Sequence, residues 1–260
     1  MKRILSFVFL FFIGTGLLLS QHRASSAAAD SAMHKSKPHK VKKSILIGAG
    51  VPSLMMTYGI FSLKSKALIR VDNNTQYKVY KHNYLWHSHL DDYFQFSPAL
   101  AAFTMKLAGV KSKHKLSDMI IIYALSNILE TGIVHATKNI TKRMRPDGSK
   151  NNSFPSGHTA TAFVAAEFLH QEYKDKSVWI SIGGYTMASL VGVSRILNDK
   201  HWVSDVVAGA GVGVISTKIV YWTYPYMQKM FKRKKGKKLQ TFILPSYNNN
   251  ALGLSFLHRF

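Results

Sequence analysis

Between Ile45 and Tyr221 the apolar residues gather into segments of helix length, and most of these segments carry an ionisable residue. Ile45 to Phe61 is one such stretch, interrupted by Pro52, and long enough for a kinked membrane helix. Further helices are expected at roughly Pro98 to Leu107, Ser117 to Thr137, His158 to Tyr173, Val178 to Val193 and Val203 to Tyr221. Lys106, Glu130, His135, Glu167, His170 and Lys218 lie inside them. At bilayer depth such groups are costly unless they face the bundle, pair or snorkel. The chain is therefore constrained to a helical bundle that buries its own charges, either embedded in a membrane or packed as core helices beside one.

The charge balance narrows the setting. The 260 residues hold 35 Lys+Arg against 12 Asp+Glu, a formal charge of +23. Such an excess suits a nucleic acid or an anionic membrane. Its placement favours the membrane, because Lys35, Lys37, Lys40, Lys42 and Lys43 precede one apolar stretch and Lys232 to Lys238 follow another. No zinc-finger spacing or RNP-like aromatic strand accompanies these lysines, which excludes the familiar nucleic-acid modules. The absence of cysteine rules out disulfides and thiolate chemistry.

The ends have their own signals. Lys2 and Arg3, an apolar run from Ile4 to Leu19 and Ala27-Ala28-Ala29 read as an export signal over residues 1–29, with retention as an anchor the alternative. Residues 30–43 are expected as a basic flexible segment, 44–231 as the helical catalytic domain and 232–260 as a basic run with a β-like tail. In that tail Leu252, Leu254, Phe256, His258 and Phe260 share one parity, so Leu239 to Leu244 and Ala251 to Phe260 are expected as a hairpin around Pro245 to Asn250. The polar and aromatic stretch Asp72 to Asp92 reads as a solvated loop, or a flap over a site.

Between Lys138 and Asp205 three clusters together suit the binding and cleavage of a phosphate ester. Lys138, Arg145 and Arg195 bring fixed positive charge, and a guanidinium can fork onto two phosphate oxygens. Pro155-Ser156-Gly157-His158 opens a helix, where backbone N–H groups favour an anion. Gly157 lets phosphate approach, Ser156 offers a hydroxyl, and His158 stands at the mouth. His201 and Asp205 are four apart, so on a helix the carboxylate can hold the imidazole in one tautomer. Lys142 and Arg143 are assigned to solvent or headgroups. Two histidines and one carboxylate among three cations make a poor metal site, so neither metal nor other cofactor is expected.

These motifs resemble the type 2 phosphatidic acid phosphatase family, which shares its site with the vanadium haloperoxidases and bacterial non-specific acid phosphatases. Lysine, six residues, Arg-Pro is met by Lys138 and Arg145-Pro146; Pro-Ser-Gly-His by Pro155 to His158; and Ser-Arg, five residues, His, three residues, Asp by Ser194-Arg195, His201 and Asp205. The likeness covers roughly Ile121 to Val220. It implies an all-α bundle with His201 as nucleophile, His158 as general acid and Asp205 as the orienting group. Lys138, Arg145, Ser156, Gly157 and Arg195 would hold the phosphoryl oxygens. A looser likeness is to envelope members of the family from Bacteroidetes-type bacteria.

The expectation is thus a metal-independent phosphatase acting on phosphomonoesters or diphosphates of membrane lipids through a phosphohistidine. It would sit in the inner membrane of a bacterial envelope with its site facing the periplasm. A soluble periplasmic acid phosphatase, a vanadate-dependent haloperoxidase and a non-catalytic envelope scaffold are the alternatives.

Overall fold

The computed structural model describes residues 39–83, 89–234, 240–248 and 251–259. The expected export signal, Trp86 and His87 lie outside them. In chain order the helices are α1 (His39–Ser62), α2 (Lys66–Asn83), α3 (Leu90–Phe94), α4 (Ser97–Leu107), α5 (Leu116–Thr141), α6 (Gly157–Tyr173), α7 (Val178–Leu197) and α8 (Val203–Lys234), followed by β1 (Gln240–Asn248) and β2 (Ala251–Arg259). The chain divides into two compact units, Met1–Tyr221 and Trp222–Phe260.

The first unit is built around α6. Alanines at 160, 162, 165 and 166 and the large residues Phe163, Phe168 and Tyr173 are all buried, so this helix is enclosed on every side rather than along one stripe. Small residues let its neighbours come close. A Cβ on Gly209 of α8 would stand 2.4 Å from the Ser156 carbonyl oxygen, and one on Gly213 2.3 Å from that of Ala160. The start of α6 is thus pressed against the first turns of α8, which is where the motif residues lie.

Among the ionisable residues inside the helices, Lys106, Glu167, His170 and Lys218 have polar partners within the bundle. Lys218 of α8 reaches Glu167 of α6 at 2.9 Å, and Gln171 Nε2 donates to the same carboxylate at 2.6 Å. Glu172 takes the Tyr221 hydroxyl at 2.6 Å and meets His114 at 2.7 Å. His170 Nδ1 meets the Ser181 hydroxyl at 2.8 Å, and Lys106 donates to the His114 carbonyl at 3.1 Å. Partners of this kind remove most of the cost that burial would impose. α5, α7 and the Val203–Met230 part of α8 are long and apolar enough to cross a membrane.

Two sequence expectations need correction. Among its described residues, Asp72 to Asp92 is mostly helical rather than a loop: α2 runs through Asn83, and α3 begins at Leu90. Polar as it is, α2 is anchored from outside, because Asp72 accepts from the Ser204 N–H at 3.1 Å and Gln76 Nε2 donates to Asp199 Oδ1. In the second unit, β1 continues through Pro245 to Asn248, so the expected turn is shorter. β1 and β2 pair antiparallel, with Leu252, Leu254, Phe256 and His258 opposite Tyr247, Pro245, Ile243 and Thr241. Residues 249–250 lie outside the described residues.

Candidate active site

Lys138 lies in the last turn of α5, and Lys142, with φ of 44°, ends that helix in the left-handed conformation. The chain then crosses to Arg145, whose Nε donates to Asn152 Oδ1 at 2.9 Å, while Lys138 Nζ donates to the Asn152 carbonyl at 2.8 Å. One asparagine therefore steers both cations. Arg195 comes from the last turn of α7. Arg145 is held below its ordinary value first by burial and then by the charge of Arg195, so the two guanidinium groups share a neighbourhood.

Past a cis Phe154–Pro155 bond, the segment 153–158 leads into α6. The Ser156 N–H, expected to be open to an anion, donates to the Asp205 carbonyl at 3.0 Å, and its hydroxyl lies 2.9 Å from that of Thr159. Ser156 is fully buried. At Gly157 an added Cβ would meet only Val134 at 3.8 Å, so packing does not require the glycine. A glycine there leaves the backbone open to close approach by a ligand.

His201 is buried in the turn before α8, and Asp205 caps that helix by accepting from the Trp202 N–H at 3.0 Å. The distance from His201 Nδ1 to Asp205 Oδ2 is 3.7 Å, which is an ion-pair separation and too long for a hydrogen bond. Ser153 stands between them. Its hydroxyl donates to Asp205 Oδ2 and lies 3.5 Å from His201 Nδ1. Burial pushes the His201 imidazole down to about 4, against the pull of Asp205 and with help from Lys138 and Arg195. His201 is consequently neutral at physiological pH, with a lone pair available.

Arg143 corrects the assignment made from sequence. Rather than facing solvent, it donates to Asp205 Oδ1 at 2.6 Å, to the Ser204 hydroxyl at 2.8 Å and to Asp72 Oδ2 at 2.8 Å, and its guanidinium lies 5.4 Å from the Trp202 ring centroid. It clamps the carboxylate beside His201 onto α2.

Sequence reasoning also missed Asp91 and Asp92. Asp91 is buried and takes a hydrogen bond from Arg195 Nη1 and another from Asn198 Nδ2 at 3.3 Å. Asp92 Oδ1 lies 2.8 Å from His158 Nε2. Asp91, Asp92 and His158 offer atoms within 4.8 Å of one another, a spacing open to a metal ion, although Arg195 already lies against both carboxylates. Arg195 Nε is buried with no acceptor among the described residues, an orphan donor of the kind an anion satisfies.

Residues 118–229, which hold every motif above, match the family profile described as the PAP2 superfamily. That segment is similar to the PAP2 superfamily. Over 160 residues it is 41% identical to a lipid A 1-phosphatase of Porphyromonas gingivalis, covering 58% of this chain and 36% of that protein. It is 36% identical over 101 residues to the bacitracin transport permease protein BcrC of Bacillus licheniformis, covering 38% and 48% respectively. A non-specific acid phosphatase of Salmonella typhi is 30% identical over 123 residues, covering 40% and 47%. The chain thus spans between about a third and a half of the length of these relatives.

Proposed function

We propose that this protein is a PAP2-type phosphatase that hydrolyses phosphate groups carried by membrane lipids through a phosphohistidine. The observation that carries the reading is His201: a buried, neutral imidazole beside Asp205, in the field of Lys138 and Arg195. His201 attacks phosphorus, and Asp205 stabilises the positive charge that its ring gains. Lys138, Arg145 and Arg195 hold the equatorial oxygens, where charge accumulates in the transition state. Gly157 admits the phosphate to the start of α6, and the Ser156 hydroxyl joins once it turns away from Thr159. His158 protonates the departing oxygen, and water then releases phosphate from His201.

A lipid substrate is supported by the apolar helices around the site and by the P. gingivalis relative, whose name states a lipid phosphatase activity. We place the enzyme in the inner membrane with the site toward the periplasm. The test is hydrolysis of detergent-dispersed phosphatidic acid and lipid A phosphate by wild type and His201→Ala, each with excess chelator. Wild type is expected to retain its rate and the variant to lose roughly 10³-fold or more. A fully active variant, or abolition of wild-type activity by the chelator, overturns the mechanism.

A further inference from the structure

The two carboxylates of α3 divide their work. Asp91 is buried and committed to Arg195 and Asn198. Asp92 is 44% exposed, and its Oδ1 is 2.8 Å from His158 Nε2 and 3.9 Å from Arg195 Nη1. Among the described residues it is the hydrogen-bond partner of the His158 ring. We propose that Asp92 is a positioning residue for the general acid, aiming His158 and keeping it protonated, so that the enzyme can expel alcohols too basic to leave as anions. The inference rests on the phosphatase reading above.

The need for such a partner follows from the surroundings of His158. Burial comes first in pulling its pKa below the ordinary value, and Arg195 of α7 adds to this. The start of α6, on which the ring sits, also disfavours a positive charge. Asp91 and Asp92 of α3 oppose these effects. Asp92 is the one placed to act through a direct bond, and by holding Nε2–H it leaves Nδ1–H to face the ester. Asp205 faces the opposite ring nitrogen of His201 at 3.7 Å, with the Ser153 hydroxyl between them. Each imidazole thus has a carboxylate beside it, at hydrogen-bond distance for His158 and at 3.7 Å for His201.

The proton balance is closed. As His201 Nε2 bonds to phosphorus, the ester P–O bond breaks with its electron pair on oxygen, and the His158 Nδ1 proton moves to that oxygen to give the alcohol. Neutral His158 then takes a proton from the water that attacks the phosphohistidine. Phosphate leaves with the hydroxyl, His201 recovers its lone pair, and His158 is again charged against Asp92.

Leaving-group chemistry tests this, because p-nitrophenolate departs without a proton and a lipid alkoxide does not. Wild type, Asp92→Asn and Asp92→Glu are compared on p-nitrophenyl phosphate and on detergent-dispersed phosphatidic acid across pH. Asp92→Asn is expected to lower kcat on phosphatidic acid by about 30-fold or more, with a loss on p-nitrophenyl phosphate at least about tenfold smaller. The alkaline limb for the lipid should move to lower pH, and Asp92→Glu should restore most of both effects. Equal losses on the two esters, or an unmoved limb, overturn the assignment of Asp92 while leaving the phosphatase intact. A folded wild type that turns over neither ester overturns the phosphatase reading and this inference together.

Discussion

Arg143 shows how much of this site depends on a single side chain outside the motifs. It meets Asp205, Asp72 and Ser204 from a largely buried position, so truncation would strand two carboxylates. Breaking a buried pair of this kind costs about 3–5 kcal/mol. Arg143→Ala should therefore unfold at a clearly lower temperature and lose kcat more than KM, whereas Arg143→Lys, which keeps the charge but not the fork, should fall between. A variant with wild-type melting and turnover would rule out the clamp. Under the proposed mechanism the two histidines also set a pH window. His201 must be deprotonated to attack, which its pKa of about 4 allows from mildly acidic pH upward. His158 must be protonated, and its pKa lies below the ordinary 6.5. In wild type kcat/KM should rise above about pH 4 and fall before pH 6.5, a bell centred on the acidic side. An optimum in alkaline solution would contradict the assignment of His158 as the acid, and full activity below about pH 4 that of His201 as the nucleophile.

Elements bring these residues together through close packing of α6 against α8. Gly209→Ala would drive a Cβ to 2.4 Å from the Ser156 carbonyl oxygen, which is backbone and cannot swing aside. A cost of about 1–3 kcal/mol and a sharp loss of activity are expected. Gly183→Ala on α7 meets nothing within 4 Å and should be neutral or stabilising by up to about 1 kcal/mol. Thermal melts and turnover of the two variants separate packing from helix propensity. The same elements explain what could be read in the sequence. Lys138, Arg145, His158, Arg195, His201 and Asp205 are legible because their spacings place each group within a local turn, loop or helix start. The partners were not legible: Asp72 bonds to Ser204 across 132 residues, Asp91 to Arg195 across 104 and Asp92 to His158 across 66. Nothing in the polar run from Asp72 to Asp92 signals that three of its carboxylates serve a site so far along the chain. α2 was missed for the same reason, since its buried positions include Asp72 and Gln76, held by tertiary bonds, beside Val79 of the core.

At the scale of the whole molecule the membrane-length helices differ in what they face. The apolar window of α8 is 83% buried, whereas that of α5 is 28% buried. Ile120, Ile121 and Ile128 of α5 stand exposed at 53%, 47% and 68%, an outward apolar face that suits lipid rather than water. Ile128 lies near the middle of α5, where a charge facing hydrocarbon costs about 2.5–3.5 kcal/mol of insertion. Wild type and His201→Ala should both stay with the membrane pellet through high-salt and carbonate washing, while Ile128→Arg should give less integrated protein. Turnover per molecule on lipid phosphates should exceed that on water-soluble esters in the same washed preparation. Release of the wild type by carbonate, with faster hydrolysis of the soluble esters, would overturn the membrane-lipid assignment in favour of a soluble envelope phosphatase. The roles of His201 and His158 would survive that outcome, because their chemistry depends on the phosphoryl group and not on the chain behind it.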